Sequence, residues 1–238
     1  MKKGLLCLIP APLGDDGFNV ISEEIKNRAC SIEYFVVEDV RTARRFLRAC
    51  GNKNEFSDGN FFLMDKKNPV VIDKKVFELL NKGTDVGLLS EAGLPCLADP
   101  GNHWVREAHR LGITVKPMSG PSSIFLALIA SGFNGQQFRF CGYLPVKSSD
   151  RIIALKKLES ISRANNETQI FIETPYRNNQ MMDDILKSLS PTTQLCIAAD
   201  LTLHNEFVRS QKISEWKKSN LDLHHRPTVF LIYVNPKQ

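Results

Sequence analysis

Leu88-Leu89-Ser90-Glu91-Ala92-Gly93-Leu94-Pro95-Cys96-Leu97-Ala98-Asp99-Pro100-Gly101 stands between two different hydrophobic periods. Before it, Asp85-Val86-Gly87-Leu88-Leu89 is a short apolar run of the kind that forms a buried strand. After it, Asn102 to Leu111 has helical spacing, with Val105, Ala108 and Leu111 on one face. A loop rich in Gly and Pro therefore joins a strand to a helix. In open α/β sheets ligands bind outside the carboxyl ends of strands, where such loops sit. Gly93 and Gly101 permit close approach to the backbone, and Pro95 and Pro100 stiffen it. Glu91 and Asp99 place carboxylates on either side of the turn. Taken alone, the loop reads first as a plain connection.

Outward from this stretch the same alternation repeats. Leu5 to Ile9 is a continuous apolar run, hence a strand covered on both faces, and Pro10 to Gly17 follows as a stiff loop. A helix over Ser22–Ala29, a strand over Ile32–Val37 ending at Glu38-Asp39, and a basic helix over Val40–Cys50 come next. Gly51 to Pro69 is the least regular stretch. Asp73–Asn81 is helical and ends at Gly83, and Ile113–Lys116 is a further strand. Strands that alternate with helices build a parallel sheet. Beyond Pro117-Met118-Ser119-Gly120 the pattern changes. Helices are expected over Ser122–Ser131, Ser148–Ser162 (capped by Ser148 or Ser149) and Asn178–Leu189. Strands are expected over Phe138–Pro145, over Thr168–Glu173, which reads as alternating, and over Leu195–Ala199. Asn205–Gln211 and Thr228–Val234 read as antiparallel partners. The expectation is α/β: a mainly parallel N-terminal domain over 1–117 and a mixed C-terminal domain over 118–238, with a cofactor cleft between them.

Composition narrows the function. The 238 residues are 42% hydrophobic and 24% charged, which suits a soluble protein with a real core. A net charge of +5 is compatible with an anionic substrate such as RNA, and equally with a solvated basic surface. The six cysteines form no CxxC pair and no zinc spacing, so no metal is expected. Met1-Lys2-Lys3 leads straight into a strand too short for a secretory leader, and Ile124–Ala130 falls far below a membrane span. A cytoplasmic protein is expected, with no membrane partner. Neither a GxGxxG turn after the first strand nor a GxxxxGK[ST] loop is present, and HExxH and GxSxG are absent too.

What remains is a series of loops that mostly follow strands. Ile9-Pro10-Ala11-Pro12-Leu13-Gly14-Asp15 is similar to (V/I)P(T/A)PIGN, and Glu38 to Leu47 resembles EDTRxTxxLL. Ser90 to Gly101 resembles SDAGTPxISDPG, and Ser119 to Ser123 resembles PGPSA. Further on, Gly142-Tyr143-Leu144-Pro145 is similar to GFLP, Ile172 to Arg177 to YESPHR, and Ala199 to Ser210 to RELTKxHEEFVRG. In this order over nearly the whole chain, these motifs resemble those of the tetrapyrrole-methylase family of S-adenosylmethionine (SAM)-dependent methyltransferases, also called class III. The nearest branch methylates the ribose 2′-hydroxyl of ribosomal RNA. The chain departs from the pattern at Glu91 (for Asp), at Ser119 (for Pro) and at Ala199 (for Arg), and the Lys after Leu201-Thr202 is missing. Where the RNA branch carries a His/Asn/Glu-rich segment, this chain holds Phe61 to Asn68.

The resemblance implies in-line methyl transfer from SAM to RNA, with ribosomal RNA or a ribosomal subunit as partner, by a symmetric homodimer. It assigns Pro10, Pro12 and Gly14 to one wall of the SAM site, and Glu91, Ala92 and Gly93 to its amino-acid end or ribose. Ser122 and Ser123, at a helix start, can take a carboxylate on backbone N–H groups. Leu201, Thr202, Pro227 and Thr228 are expected to line the adenine. A hydroxyl nucleophile wants a base within hydrogen-bond reach, which makes Glu38, Asp39 and Glu173 catalytic candidates; the same carboxylates can instead cap helices or pair with arginine. Arg41, Arg44 and Arg177 are candidates for substrate phosphate, although Arg41, Arg44, Arg45 and Arg48 also have the spacing of a solvated helix face. Two alternatives stay open: methylation of a tetrapyrrole or other small molecule in a trough lined by Phe61, Phe62 and Met64, and a SAM-binding paralogue without catalysis.

Overall fold

The structure, a computed structural model, describes residues 2–64 and 72–235, and the chain divides into two compact units, Met1–Ser122 and Ser123–Gln238. The N-terminal unit holds five strands, β1 (Leu5–Ile9), β2 (Tyr34–Val37), β3 (Phe61–Leu63), β4 (Val86–Leu89) and β5 (Thr114–Pro117). They form one sheet in the order β3-β2-β4-β1-β5, parallel throughout. Helices α1 (Glu23–Ser31), α2 (Val40–Ala49), α3 (Lys74–Asn81) and α4 (Asn102–Arg110) connect the strands.

Side chains alternate across a strand, and here both sets are buried. Cys7 and Ile9, Phe35 and Val37, and Leu89 pack with Ile25 and Ala29 of α1 and Ala43, Phe46 and Leu47 of α2. Leu6, Val36, Val86 and Leu88 pack on the opposite face with Val76, Phe77 and Leu80 of α3 and Trp104 and Ala108 of α4. This is why the strands read as unbroken apolar runs. Gly87, in the middle of β4, leaves the room that Phe35 fills: a Cβ there would lie 2.6 Å from the Phe35 ring and 3.0 Å from Ile9 Cδ1.

The helix placement has a consequence for ligands. The loops leaving β1 and β2 turn to the α1/α2 face, and the loop leaving β4, which lies between them, turns to the α3/α4 face. The carboxyl end of β4 is thus flanked by a reversal of direction on both sides. Crevices in α/β sheets open at such reversals.

In the C-terminal unit, β6 (Phe138–Tyr143), β7 (Thr168–Ile172), β8 (Gln194–Ala199), β9 (Phe207–Lys212) and β10 (Thr228–Tyr233) form a sheet in the order β6-β7-β10-β8-β9. Only β6 and β7 pair in parallel; the remaining pairs are antiparallel. Helices α6 (Ser148–Asn165) and α7 (Asn178–Ser188) cover one face through Leu155, Leu158, Met181 and Ile185, with the short α8 (Ile213–Trp216) beside them. Helix α5 (Ser123–Ser131) packs on β8, β9 and β10. The sheets are those expected, parallel in the first half and mixed in the second.

Four local expectations are corrected. The last two strands are not partners of each other: each pairs with β8, and β10 lies between β7 and β8. A chain-end strand with no alternation (Thr228-Val229-Phe230-Leu231-Ile232) is a central strand, not an edge. Within the irregular stretch, Phe61–Leu63 is a strand that extends the sheet in register with Phe35–Val37. Phe61 stacks there on Phe35 and Met64 is buried, so both are core residues and do not line a trough. Residues 65–69 of that stretch lie outside the described residues. Thr168–Ile172 does not alternate either, because both of its faces are covered. Finally, neither Ser148 nor Ser149 caps α6; the N-cap is Lys147, and Ser148 Oγ donates to Asp184 Oδ1 at 2.9 Å.

Candidate active site in the N-terminal unit

A cavity of about 610 Å³ opens at the carboxyl ends of β1, β2 and β4, within the size range of small-molecule sites. Its floor is apolar: Val37 and Leu89 from strand ends, and Ala43, Phe46 and Ala49 from α2. Its rim is acidic, with Asp15, Glu38, Asp39 and Glu91. The backbone of Ala11 to Gly14 and Ser90 to Ala92 closes the remaining sides.

These loops are fastened to one another. Ala11 N donates to Gly93 O at 2.9 Å and Gly93 N donates to Ala11 O at 3.1 Å, an isolated antiparallel bridge. Gly93 adopts φ +70°, and a Cβ there would stand 3.2 Å from Leu13. Gly120 approaches Pro10 so closely that a Cβ would fall 2.2 Å from Pro10 Cβ. Ser90 Oγ donates to Ala92 O at 3.2 Å, and Glu91 N donates to Glu38 Oε1 at 3.2 Å. The Glu91 amide and the Glu38 carboxylate thus join the β4 and β2 loops.

Of the residues expected in the site, Pro12, Gly14, Glu38, Asp39, Glu91 and Ala92 border the cavity. Pro10 and Gly93 stand behind the wall as its fasteners. Ser122 is buried at the end of this unit, and Ser123 is the first residue of α5. The carboxylates differ in what they do. Asp39 is the N-cap of α2, where its carboxylate accepts from Thr42 N at 2.7 Å; that backbone hydrogen bond holds its pKa below the usual carboxylate range. Glu38 is directed to the Glu91 amide.

The arginines divide over the sides of α2. Arg45 borders the cavity and pairs with Asp15 at 3.0 Å. Arg44 turns away, donating to Phe56 O at 3.2 Å and Asp58 Oδ1 at 2.8 Å, and with Arg48 and Lys53 borders a second cavity of about 340 Å³. Arg41 is exposed. The basic spacing had singled out Arg41, Arg44, Arg45 and Arg48. The cavity is instead faced by Thr42, Arg45, Phe46 and Ala49, the same helical period one residue on. Phe18 and Ala49 are lining residues outside every motif, and Thr42 and Phe46 lie within the Glu38–Leu47 motif without being singled out by it. The mixed polar and apolar side of α2 was the available signal.

The C-terminal candidates form two groups of their own. Glu173, buried, accepts from Thr174 N at 2.7 Å, Thr174 Oγ1 at 3.1 Å and Arg177 Nη2 at 2.7 Å, all on Oε1. Burial alone would raise its pKa, but Arg177 and Thr174 outweigh it and hold the carboxyl low. In the second group, Leu201 and Thr228 are buried, Thr202 adopts φ +70°, and its N–H donates to Glu206 at 2.7 Å. Thr202 Oγ1 is buried without a hydrogen-bond partner. Pro227 O accepts from Asp200 N at 2.9 Å. Among the described residues no cluster of His, Cys, Asp and Glu is arranged to hold a metal ion, and no helix is long and apolar enough to cross a membrane.

Comparison with known proteins adds the following. A family model described as Tetrapyrrole (Corrin/Porphyrin) Methylases matches residues 33–217. The chain is similar to a Vibrio cholerae protein named Ribosomal RNA small subunit methyltransferase I, 31% identical over 215 residues, covering 89% of this chain and 69% of the relative. It is also similar to the Thermotoga maritima protein of the same name, 31% identical over 223 residues, covering 90% of this chain and 93% of the relative. A Haemophilus influenzae protein of that name is 27% identical over 237 residues, covering 98% of this chain and 80% of the relative.

Proposed function

We propose, from the premise that this chain belongs to the tetrapyrrole (corrin/porphyrin) methylase family and is a methyltransferase, that it transfers the methyl group of SAM to RNA, with a ribose 2′-hydroxyl of ribosomal RNA as acceptor. The observation that carries the RNA assignment is the likeness, over nine-tenths of the chain, to relatives named for ribosomal RNA.

The residues of the N-terminal cavity fit SAM as the methyl donor. Its acidic rim complements a ligand with a cationic sulfonium and an ammonium group, and its apolar floor suits a purine or a methylene chain. Glu91 and Ala92 are exposed at the cavity, and the glycine at 93, which a side chain would crowd, provides close approach. When bound, the donor supplies a methyl group already activated by the sulfonium. What the protein adds is position, a dry floor and a proton acceptor. We assign the acceptor role to Glu38, which borders the cavity at the carboxyl end of β2. The Glu91 amide orients Glu38 toward the cavity. Arg45 and, around the corner of α2, Arg44 and Arg41 are assigned to phosphate. In the C-terminal unit the unpartnered Thr202 hydroxyl supports a ligand contact by the Leu201–Thr202 loop. An RNA acceptor of this kind places the reaction in the cytoplasm. The exposed Phe125, Ile129 and Phe138 support a homodimer, which light scattering tests.

The function is tested by supplying tritiated SAM with hypomethylated small ribosomal subunits and, in parallel, with tetrapyrrole precursors. Label in ribose of the RNA is expected. Label only in the tetrapyrrole arm would reverse the substrate assignment, and label in neither would leave a SAM-binding protein without this catalysis. Glu38→Gln is expected to lower kcat by roughly 10²-fold or more, a larger loss than the weakening of SAM binding that follows from removing one rim charge. An unchanged kcat would remove Glu38 as proton acceptor.

A further inference from the structure

The carboxyl edge of β6 and β7 carries a surface that the N-terminal cavity does not use. β6 and β7 run parallel and end side by side, with Tyr143 opposite Ile172. Their register slips between Phe140 and Tyr143, and Gly142 in that interval adopts φ +65°. Such a bulge inserts an extra residue and re-aims the side chains around it. Here it leaves Tyr143 with 59% of its surface exposed at the strand end. After β7, Pro175 starts a short 3-10 turn (Pro175–Arg177) that presents Tyr176, 58% exposed. The Arg177 guanidinium lies over the Tyr176 ring, 5.1 Å from its centroid, and Nη1 donates to the Tyr176 hydroxyl at 3.3 Å. Tyr143 pairs with Ile172, the residue before Glu173, at the same strand end.

Arg177 is held from below. Glu173, with its side chain wholly buried, grips Nη2 at 2.7 Å through Oε1. Its Oε2 and Arg177 Nε are both buried without a hydrogen-bond partner. A buried carboxylate that takes three donors on one oxygen and none on the other leaves polar capacity unspent, which is costly unless a ligand or its water uses it. Two large rings, Tyr143 and Tyr176, are more than half exposed beside this cation.

We infer that Tyr143, Tyr176 and Arg177 form a stacking platform for single-stranded RNA, on which an unpaired base lies against a tyrosine ring while Arg177 meets the adjoining phosphate. Aromatic faces flanked by arginine are how proteins hold unstacked bases, and a negatively charged strand complements the cation. Glu173 is a positioning residue in this arrangement. The inference rests on RNA being the substrate and adds the part of the protein that grips it.

The test uses the full-length protein, a short fluorescein-labelled single-stranded RNA of mixed sequence, and hypomethylated small ribosomal subunits. Tyr143→Ala and Tyr176→Ala are each expected to weaken oligonucleotide binding roughly 5- to 150-fold and to raise KM for the subunit, with SAM affinity and melting temperature unmoved. Tyr176→Phe keeps the ring and the binding. Arg177→Gln is expected to reduce the salt dependence of binding, whereas the tyrosine variants leave that slope alone. RNA methylation with undiminished binding by both alanine variants would overturn the platform and leave the proposed function standing. Methylation of a small molecule with no RNA binding by the wild type would overturn both.

Discussion

Single atoms decide how tightly the N-terminal site is built. Gly120 has no Cβ, and the 2.2 Å it would leave to Pro10 means that any other residue forces two backbone segments apart. Gly120→Ala is expected to cost about 1–3 kcal/mol of stability by overpacking, and to weaken SAM binding because the Pro10 loop moves; chemical denaturation and calorimetry read the two effects. Asp39 acts through one hydrogen bond, to Thr42 N. Its folded pKa is depressed, so its contribution is present above the unfolded value and lost as pH falls through the folded one. Asp39→Ala should therefore cost ~1 kcal/mol near neutral pH, and the difference from wild type should shrink in denaturation curves taken at progressively acid pH. A gap that stays constant down to strongly acid pH would mean the carboxylate is not what caps α2.

At the level of elements, two arrangements matter: where β4 sits, and how α6 is tied to α7. The strand β4 was legible because its apolar run is short, glycine-containing and bounded by turn residues. Its neighbours were not, because period and composition carry no strand order. The same gap explains β10: an unalternating run identifies a buried strand without naming its partners. It explains β3 as well, since a strand of three residues leaves too short a pattern. In the C-terminal unit Arg151 is fully buried at the start of α6 and pairs with Asp184 of α7, to whose Oδ2 its Nε donates at 2.7 Å; it also donates to Val146 O at 2.9 Å. That one side chain fixes two helices and the loop that follows β6. Arg151→Leu strands a buried carboxylate and is expected to destabilise by roughly 3–5 kcal/mol. Adding Asp184→Leu to it should recover part of the loss, and a double variant as unstable as the sum of the two single changes would argue against the coupling.

For the molecule as a whole, fold class and family were legible, as seven loop motifs in order. The site was legible only in part. Motifs pointed to the loops at the ends of β1, β2 and β4, which do border one cavity. They did not reveal the α2 side facing it, since a helix contributes residues by rotation and not by a contiguous string. The basic spacing also grouped Arg44 with Arg45, which border separate cavities. If SAM binds the folded protein and not the unfolded chain, a concentration 100 times its Kd should add about 2.7 kcal/mol to stability. Thermal denaturation should show this as an upward shift that grows with the logarithm of SAM concentration, and a flat response would count against the cofactor assignment.

The paired hydrogen bonds between Ala11 and Gly93 have a bearing on how this chain can change length over evolution. They couple two segments 82 positions apart, so the count of residues from the end of β1 to Ala11, and from the end of β4 to Gly93, is locked. A single codon gained between Ile9 and Ala11 would present the wrong amide to Gly93 and carry Pro10 off Gly120. The 3-10 stretch Asp15–Val20, only a few residues downstream, is under no such constraint from the bridge. Insertions and deletions in this lineage should therefore fall after Gly14 and spare the few residues before it.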